Sequence, residues 1–160
     1  MAYWIDTGIP AKLAIMPKPN SGKRLEADIR NLKREGTDVL VSLLPPDEAF
    51  DLGLELERAA CDGHGIVFRN FPIADRDIPA STEAFLAFIE ILHNDLLQGR
   101  SIVAHCFAGI GRSSLLLAAL LRREGLSTDD AFRRITQARR MLVPDTPEQL
   151  RWVENLRFEP

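Results

Sequence analysis

Apolar positions along the chain follow two different periods. Residues 38–43 (Asp-Val-Leu-Val-Ser-Leu), 66–71 (Ile-Val-Phe-Arg-Asn-Phe) and 101–105 are short apolar runs and predict buried strands. Shorter strands are predicted at 3–5 and 12–15, where Gly8, Pro10 and Pro17 break the chain. Between the runs the period becomes helical. Leu25, Ile29 and Leu32 share one face of a helix over 24–35, which Gly36 stops. Pro45-Pro46 reads as the end of the strand at 38–43, and a helix is expected over about 52–61, followed by a turn at Gly63-His64-Gly65. From Ser81 or Thr82 to about Gln98, the residues Phe85, Phe88, Ile89, Leu92 and Leu96 form one continuous stripe. The helix from Arg112 or Ser113 to Glu124 is apolar nearly all round, which places it centrally. Ser127 with Asp130, then Thr146-Pro147-Glu148-Gln149, carry the start signals of two more helices, ending near Arg140 and Leu156.

Strands alternating with helices specify an α/β fold: a central, mostly parallel sheet of four to five strands flanked by helices. The 160 residues suit a single domain over 1–160, and at this length roughly 70% of the unfolded surface can be buried without staples. The strand–helix–strand unit over 66–105 has a topological consequence. Parallel strands end on one edge of the sheet, so the loop after 71 and the loop after 105 should emerge together.

Composition excludes more than it assigns. Apolar residues at 46% and charged residues at 27% are ordinary for a soluble globular chain. A net charge of −3 leaves no nucleic-acid or membrane footprint. The two cysteines, Cys61 and Cys106, are too few for a disulfide scaffold, and the three histidines lack zinc-ligand spacing, so no metal and no cofactor are expected. No signal peptide or membrane span is read, and a cytoplasmic protein is expected. Oligomeric state is left open.

The informative segment is His105-Cys106-Phe107-Ala108-Gly109-Ile110-Gly111-Arg112-Ser113. A thiol ends a strand, five residues follow, and an arginine opens a helix. Gly109 and Gly111 let successive N–H groups curve around one centre, and the helix N-terminus adds positive potential there. Arg112 adds a planar fork that matches two oxygens of a phosphoryl group. The same features favour ionisation of Cys106, whose ordinary pKa is about 8.5.

At these residues the chain resembles the cysteine-dependent protein tyrosine phosphatase superfamily, in its small dual-specificity-like branch. Its signature, His-Cys-x5-Arg-Ser/Thr, is matched from His105 to Ser113. The resemblance implies a phosphatase-like fold and hydrolysis of phosphotyrosine, and of phosphoserine or phosphothreonine as well, on a protein substrate. Cys106 would attack phosphorus and become a phosphocysteine. Arg112 and the backbone of 107–112 (Phe107, Ala108, Gly109, Ile110, Gly111) would hold the phosphoryl oxygens. Ser113 would hydrogen-bond the sulfur, and His105 would order the loop from a buried position; a general-base role for His105, as in a cysteine protease, is the alternative.

Phe71-Pro72-Ile73-Ala74-Asp75 resembles the family's acid loop and makes Asp75 the proton donor, with Asp77 as runner-up. The implied rate profile is bell-shaped, set by deprotonated Cys106 and protonated Asp75, with an optimum on the acidic side of neutral. Family members often carry a water-placing glutamine where this chain has Asp145. Gln149 matches a second glutamine of that loop, or serves only the capping box. Lipid-directed relatives tend to carry lysines in the phosphate loop, and this one has none. Arg139 and Arg140 read as solvated, with lining the site or docking acidic substrate flanks as the alternative. Cys61 reads as a buried cysteine, a reversible disulfide to Cys106 being the alternative. Against the protein phosphatase reading stand a non-catalytic phosphoresidue-binding module, a phosphoinositide phosphatase and a sulfurtransferase.

Overall fold

The apolar runs become a five-stranded sheet ordered β1-β2-β5-β3-β4 in the computed structural model, which describes residues 1–159. Its strands are β1 (Tyr3–Trp4), β2 (Leu13–Met16), β3 (Val39–Ser42), β4 (Val67–Asn70) and β5 (Ile102–His105). Only β1 runs antiparallel, against β2; the β2–β5, β5–β3 and β3–β4 pairs are all parallel. The expected α/β class and mostly parallel sheet are therefore observed.

Strands buried on both faces read as unbroken apolar runs, and alternate residues serve opposite layers. Leu13, Ile15, Val39, Val41, Ile102 and Ala104 share a core with helices α4 (Thr82–Leu97), α5 (Arg112–Arg123), α6 (Thr128–Arg139) and α7 (Pro147–Glu154). Ala14, Met16, Leu40 and Val103 pack on the other side with α1 (Lys23–Arg34) and α3 (Glu57–Gly63). Cys61 belongs to this second layer and Cys106 to the first; both are free thiols. Among the described residues, no helix is long and apolar enough to cross a membrane.

Helix α5 is the pivot. Residues 115–121 have no exposure, and the helix packs on α4, α6, α7, β2 and β5. Each buried leucine there contributes roughly 1.5–3 kcal/mol, so the start of α5 is a rigid platform. The predicted N-caps are in place: Ser81, Ser127 and Thr146 each accept from an amide three residues on, and Thr146 with Gln149 forms a full capping box.

One stretch departs from expectation. Pro45-Pro46 ends β3, as read, but Pro46 also opens a short helix, α2 (Pro46–Asp51). Proline suits the first helical position because its fixed φ is already helical and its missing N–H would have had no partner. The next helix starts later than predicted, as α3 at Glu57, because Gly53 takes a positive φ of 73° between the two.

Candidate active site

The carboxyl ends of β4 and β5 do meet on one edge, although β3 lies between them. A cavity of about 220 Å³ opens there, lined by Cys106, Phe107, Ala108, Ile110, Gly111 and Arg112 of the phosphate loop, Asp75 and Arg76 of the acid loop, and Asp145.

The phosphate loop is held open by its carbonyls. Phe107 O accepts from Lys18 N (3.0 Å), Ala108 O from Arg139 Nη2 (3.0 Å) and Gly109 O from Arg139 Nε (3.0 Å). Ser114 Oγ donates to the carbonyls of Ile110 and Gly111. With the carbonyls bound elsewhere, amides are free for an anion. Gly109 needs its left-handed φ of 68°, and a Cβ there would lie 2.5 Å from the Met16 carbonyl. Arg139, expected in solvent, is instead buried, stacks on Tyr3 at 4.7 Å and braces the loop from behind. Arg140, its neighbour, is exposed and takes the left-handed cap position of α6.

Cys106 sits at the floor of the cavity. Its Sγ lies 3.3 Å from Ser113 Oγ. Burial pushes the thiol up, but the Ser113 hydroxyl and amide, the Arg112 guanidinium and the Gly109 amide outweigh it and hold Cys106 below its ordinary value. Cys61 is the contrast: burial, with the negative charge of Glu57, pushes it up to about 12. The two thiols differ in their surroundings: those of Cys106 favour the thiolate, those of Cys61 the neutral thiol.

Arg112 is almost fully buried and fixed from several directions. It forks onto Glu48 of α2 (Nη1–Oε1 2.9 Å, Nη2–Oε2 3.0 Å) and donates to Ile73 O at 3.0 Å and Asp75 Oδ1 at 3.2 Å. These acceptors keep the guanidinium charged despite burial. The acid loop thus reaches the phosphate loop through Arg112, while its root, Phe71, stacks against Phe85 and Phe88 of α4. Asp75 lines the cavity, with its side chain 70% exposed. Asp77 is not part of that lining, and its Oδ1 accepts from the adjacent Ile78 amide at 2.7 Å.

His105 is buried, with Nδ1 3.1 Å from Cys106 O and Nε2 2.5 Å from Glu57 Oε2. Gln149 is also buried. Its Oε1 accepts from the amides of Asp145 and Thr146, and its Nε2 donates to Asp77 O at 3.0 Å. The capping box therefore doubles as a tie to the acid loop.

Sequence reasoning missed Glu48 and Glu57, and it favoured solvent for Arg139 over a place lining the site. Glu48 carried a usable signal, since Pro-Asp-Glu is a helix-start pattern with acid in the first turn. Glu57 and Arg139 carried none; only the fold reveals their burial.

Residues 14–126 match a family described as "Polymorphic toxin system, DSP-PTPase phosphatase". Protein tyrosine phosphatase type IVA 3 of Bos taurus is 26% identical over 135 residues, covering 83% of this chain and 72% of that protein. Among solved structures, kinase associated phosphatase with its catalytic cysteine replaced by serine superposes with a TM-score of 0.83 at 20% identity, covering 96% of this chain and 91% of that one. PTPMT1 in complex with PI(5)P gives a TM-score of 0.73 at 15% identity, over 95% and 92% of the two chains.

Proposed function

Since the chain belongs to the DSP-PTPase family, in the dual-specificity branch of the cysteine-dependent protein tyrosine phosphatases, we propose that it hydrolyses phosphotyrosine, and also phosphoserine and phosphothreonine, on protein substrates through a phosphocysteine at Cys106. The observation that carries this reading is the Cys106 sulfur at the cavity floor, beside the Ser113 hydroxyl, the Gly109 amide and the Arg112 guanidinium, with Asp75 in the same lining.

In the first step the thiolate attacks phosphorus. An S–P bond forms as the bond to the leaving oxygen breaks, and Asp75 delivers a proton to that oxygen. Arg112 and the amides of 107–112 hold the non-bridging oxygens as charge redistributes. The phosphoryl group takes over an Arg112 N–H that Asp75 holds in the free enzyme. In the second step the Asp75 carboxylate removes a proton from water, water oxygen bonds to phosphorus, and sulfur leaves as a thiolate stabilised by the Ser113 hydroxyl. His105, donating rather than accepting, supports the loop; Gln149 holds the acid loop.

Residues 1–160 act as one catalytic domain in this reading, and the reactive thiol suits a reducing compartment such as the cytoplasm. A phosphoinositide substrate is disfavoured by the cavity's charge: Asp75 and Asp145 offset Arg76 and Arg112, and no lysine stands between Cys106 and Arg112.

The test is direct. The purified protein should hydrolyse para-nitrophenyl phosphate with chelator present and be inhibited by vanadate, and acid quenching during turnover should trap phosphate on Cys106. Phosphopeptide binding without phosphate release would instead identify a binding module. Asp75→Asn should lower kcat for alkyl or phenyl phosphates by about 10²- to 10³-fold, the usual scale of general-acid catalysis. It should have much less effect on esters whose leaving group departs without a proton. If Asp77→Asn shows that pattern and Asp75→Asn does not, the acid is misassigned.

A further inference from the structure

His105 has no exposed surface, and both of its ring nitrogens face oxygen. Nδ1 meets the Cys106 carbonyl and Nε2 meets the Glu57 carboxylate. A carbonyl accepts only, and so does an ionised carboxylate. A neutral imidazole has one N–H, so one of its nitrogens would press a lone pair against an oxygen. A doubly protonated ring donates to both partners.

Glu57 is itself 2% exposed, so its charge is unsolvated and needs a cation. The ionisable groups acting on His105 are Glu57 and Cys106; its sheet neighbours, Met16 of β2 and Ser42 of β3, carry no charge. Around Glu57 on α3 stand Cys61, Asp62 and Arg58, and Arg58 lies over the Phe68 ring. Around Cys106 stand Arg112 and Ser113.

We propose that Glu57 is a positioning residue of the phosphatase: it keeps His105 an imidazolium, which pins the Cys106 carbonyl and sets a positive charge beside the nucleophile. The inference rests on Cys106 acting as a thiolate, the reading above. A buried ion pair seldom stabilises a fold more than a well-packed apolar pair of the same size would. Its return here is electrostatic. Burial draws the imidazole toward neutrality, the Glu57 charge and hydrogen bond outweigh it, and the Cys106 thiolate adds to the effect. Coupling between two sites is reciprocal, so an imidazolium that gains from the thiolate also lowers the proton affinity of the thiol.

Glu57→Gln keeps the shape and a hydrogen-bonding side chain while removing the charge. Alkylation of Cys106 by iodoacetamide, followed across pH, should move its rising limb up by about one unit, which is roughly tenfold less thiolate at any pH well below the wild-type midpoint. The acid limb of kcat/KM should move with it. An alkylation profile superimposable on wild type overturns the proposal. If the variant fails to fold, the wild-type enzyme still decides: ring ¹⁵N shifts should show both His105 nitrogens protonated at pH 7.5, and a neutral ring overturns it. The underlying reading fails separately, by a wild-type thiol that titrates at its ordinary value or by an active Cys106→Ser.

Discussion

Cys106→Ser abolishes turnover and keeps the binding site. The expected loss in kcat is on the order of 10⁴ or more, the scale seen when a covalent nucleophile is removed. A serine hydroxyl in the same cradle stays protonated at neutral pH, and nothing on the cavity floor takes its proton, because His105 already spends both nitrogens on Glu57 and the Cys106 carbonyl. The oxyanion cradle survives, since the carbonyl ties to Lys18, Arg139 and Ser114 do not involve the sulfur. Tungstate should therefore bind the variant at least as tightly as wild type, because the like charge at the centre is gone. A pH series separates the two cysteines. The thiolate is fully present above the thiol's pKa and is lost as pH falls through it. With Cys106 held below its ordinary value and Cys61 pushed up to about 12, alkylation at pH 7 should label Cys106 and leave Cys61 untouched. Turnover by Cys106→Ser within tenfold of wild type would remove Cys106 from the mechanism.

The phosphate loop was legible because its chemistry is contiguous: a thiol, two glycines and an arginine need only local backbone curvature to converge. The pairing of Asp75 with Cys106 was legible for a different reason. Parallel strands share a carboxyl edge whatever their order, so the two loops meet even with β3 between β4 and β5. The helices with polar caps at Ser81, Ser127 and Thr146 were also readable, because a side-chain cap is a short-range signal.

What the sequence hid is long-range burial of charge. Glu57 and His105 are 48 residues apart, and nothing local distinguishes Glu57 from a solvated helix glutamate. Arg139 looked solvated because it ends a polar helix, yet the phosphate loop and Tyr3 enclose it. The capping signal at Gln149 was read correctly but incompletely. Its second amide contact, to Asp77 O, depends on how α7 sits against the acid loop, which periodicity does not encode.

Arg112→Lys separates charge from geometry. The ammonium keeps the positive charge and can still pair with Glu48, so the thiol should remain easily alkylated near neutral pH. It offers one point of donors where the guanidinium offered a rigid fork. The fork spans both Glu48 oxygens and reaches Ile73 O and Asp75. Its loss removes two parallel bonds to the phosphoryl oxygens and the tether of the acid loop together. Loss of a single oxyanion donor costs about 10²–10³ in rate, so kcat/KM should fall about 10³-fold while the pH profile of alkylation barely moves. The tether adds a second signature: with Asp75 no longer held beside the cavity, esters of poor leaving groups should lose more than esters of good ones. Arg112→Ala should differ, since it leaves Glu48 and Asp75 without their shared cation and pushes the Cys106 thiol up as well. If the lysine variant keeps kcat/KM within tenfold of wild type, positive charge alone is enough and the fork has no catalytic role. If neither variant shifts the thiol, the electrostatic support for the thiolate comes from the amides, Ser113 and His105, and Arg112 serves substrate alone.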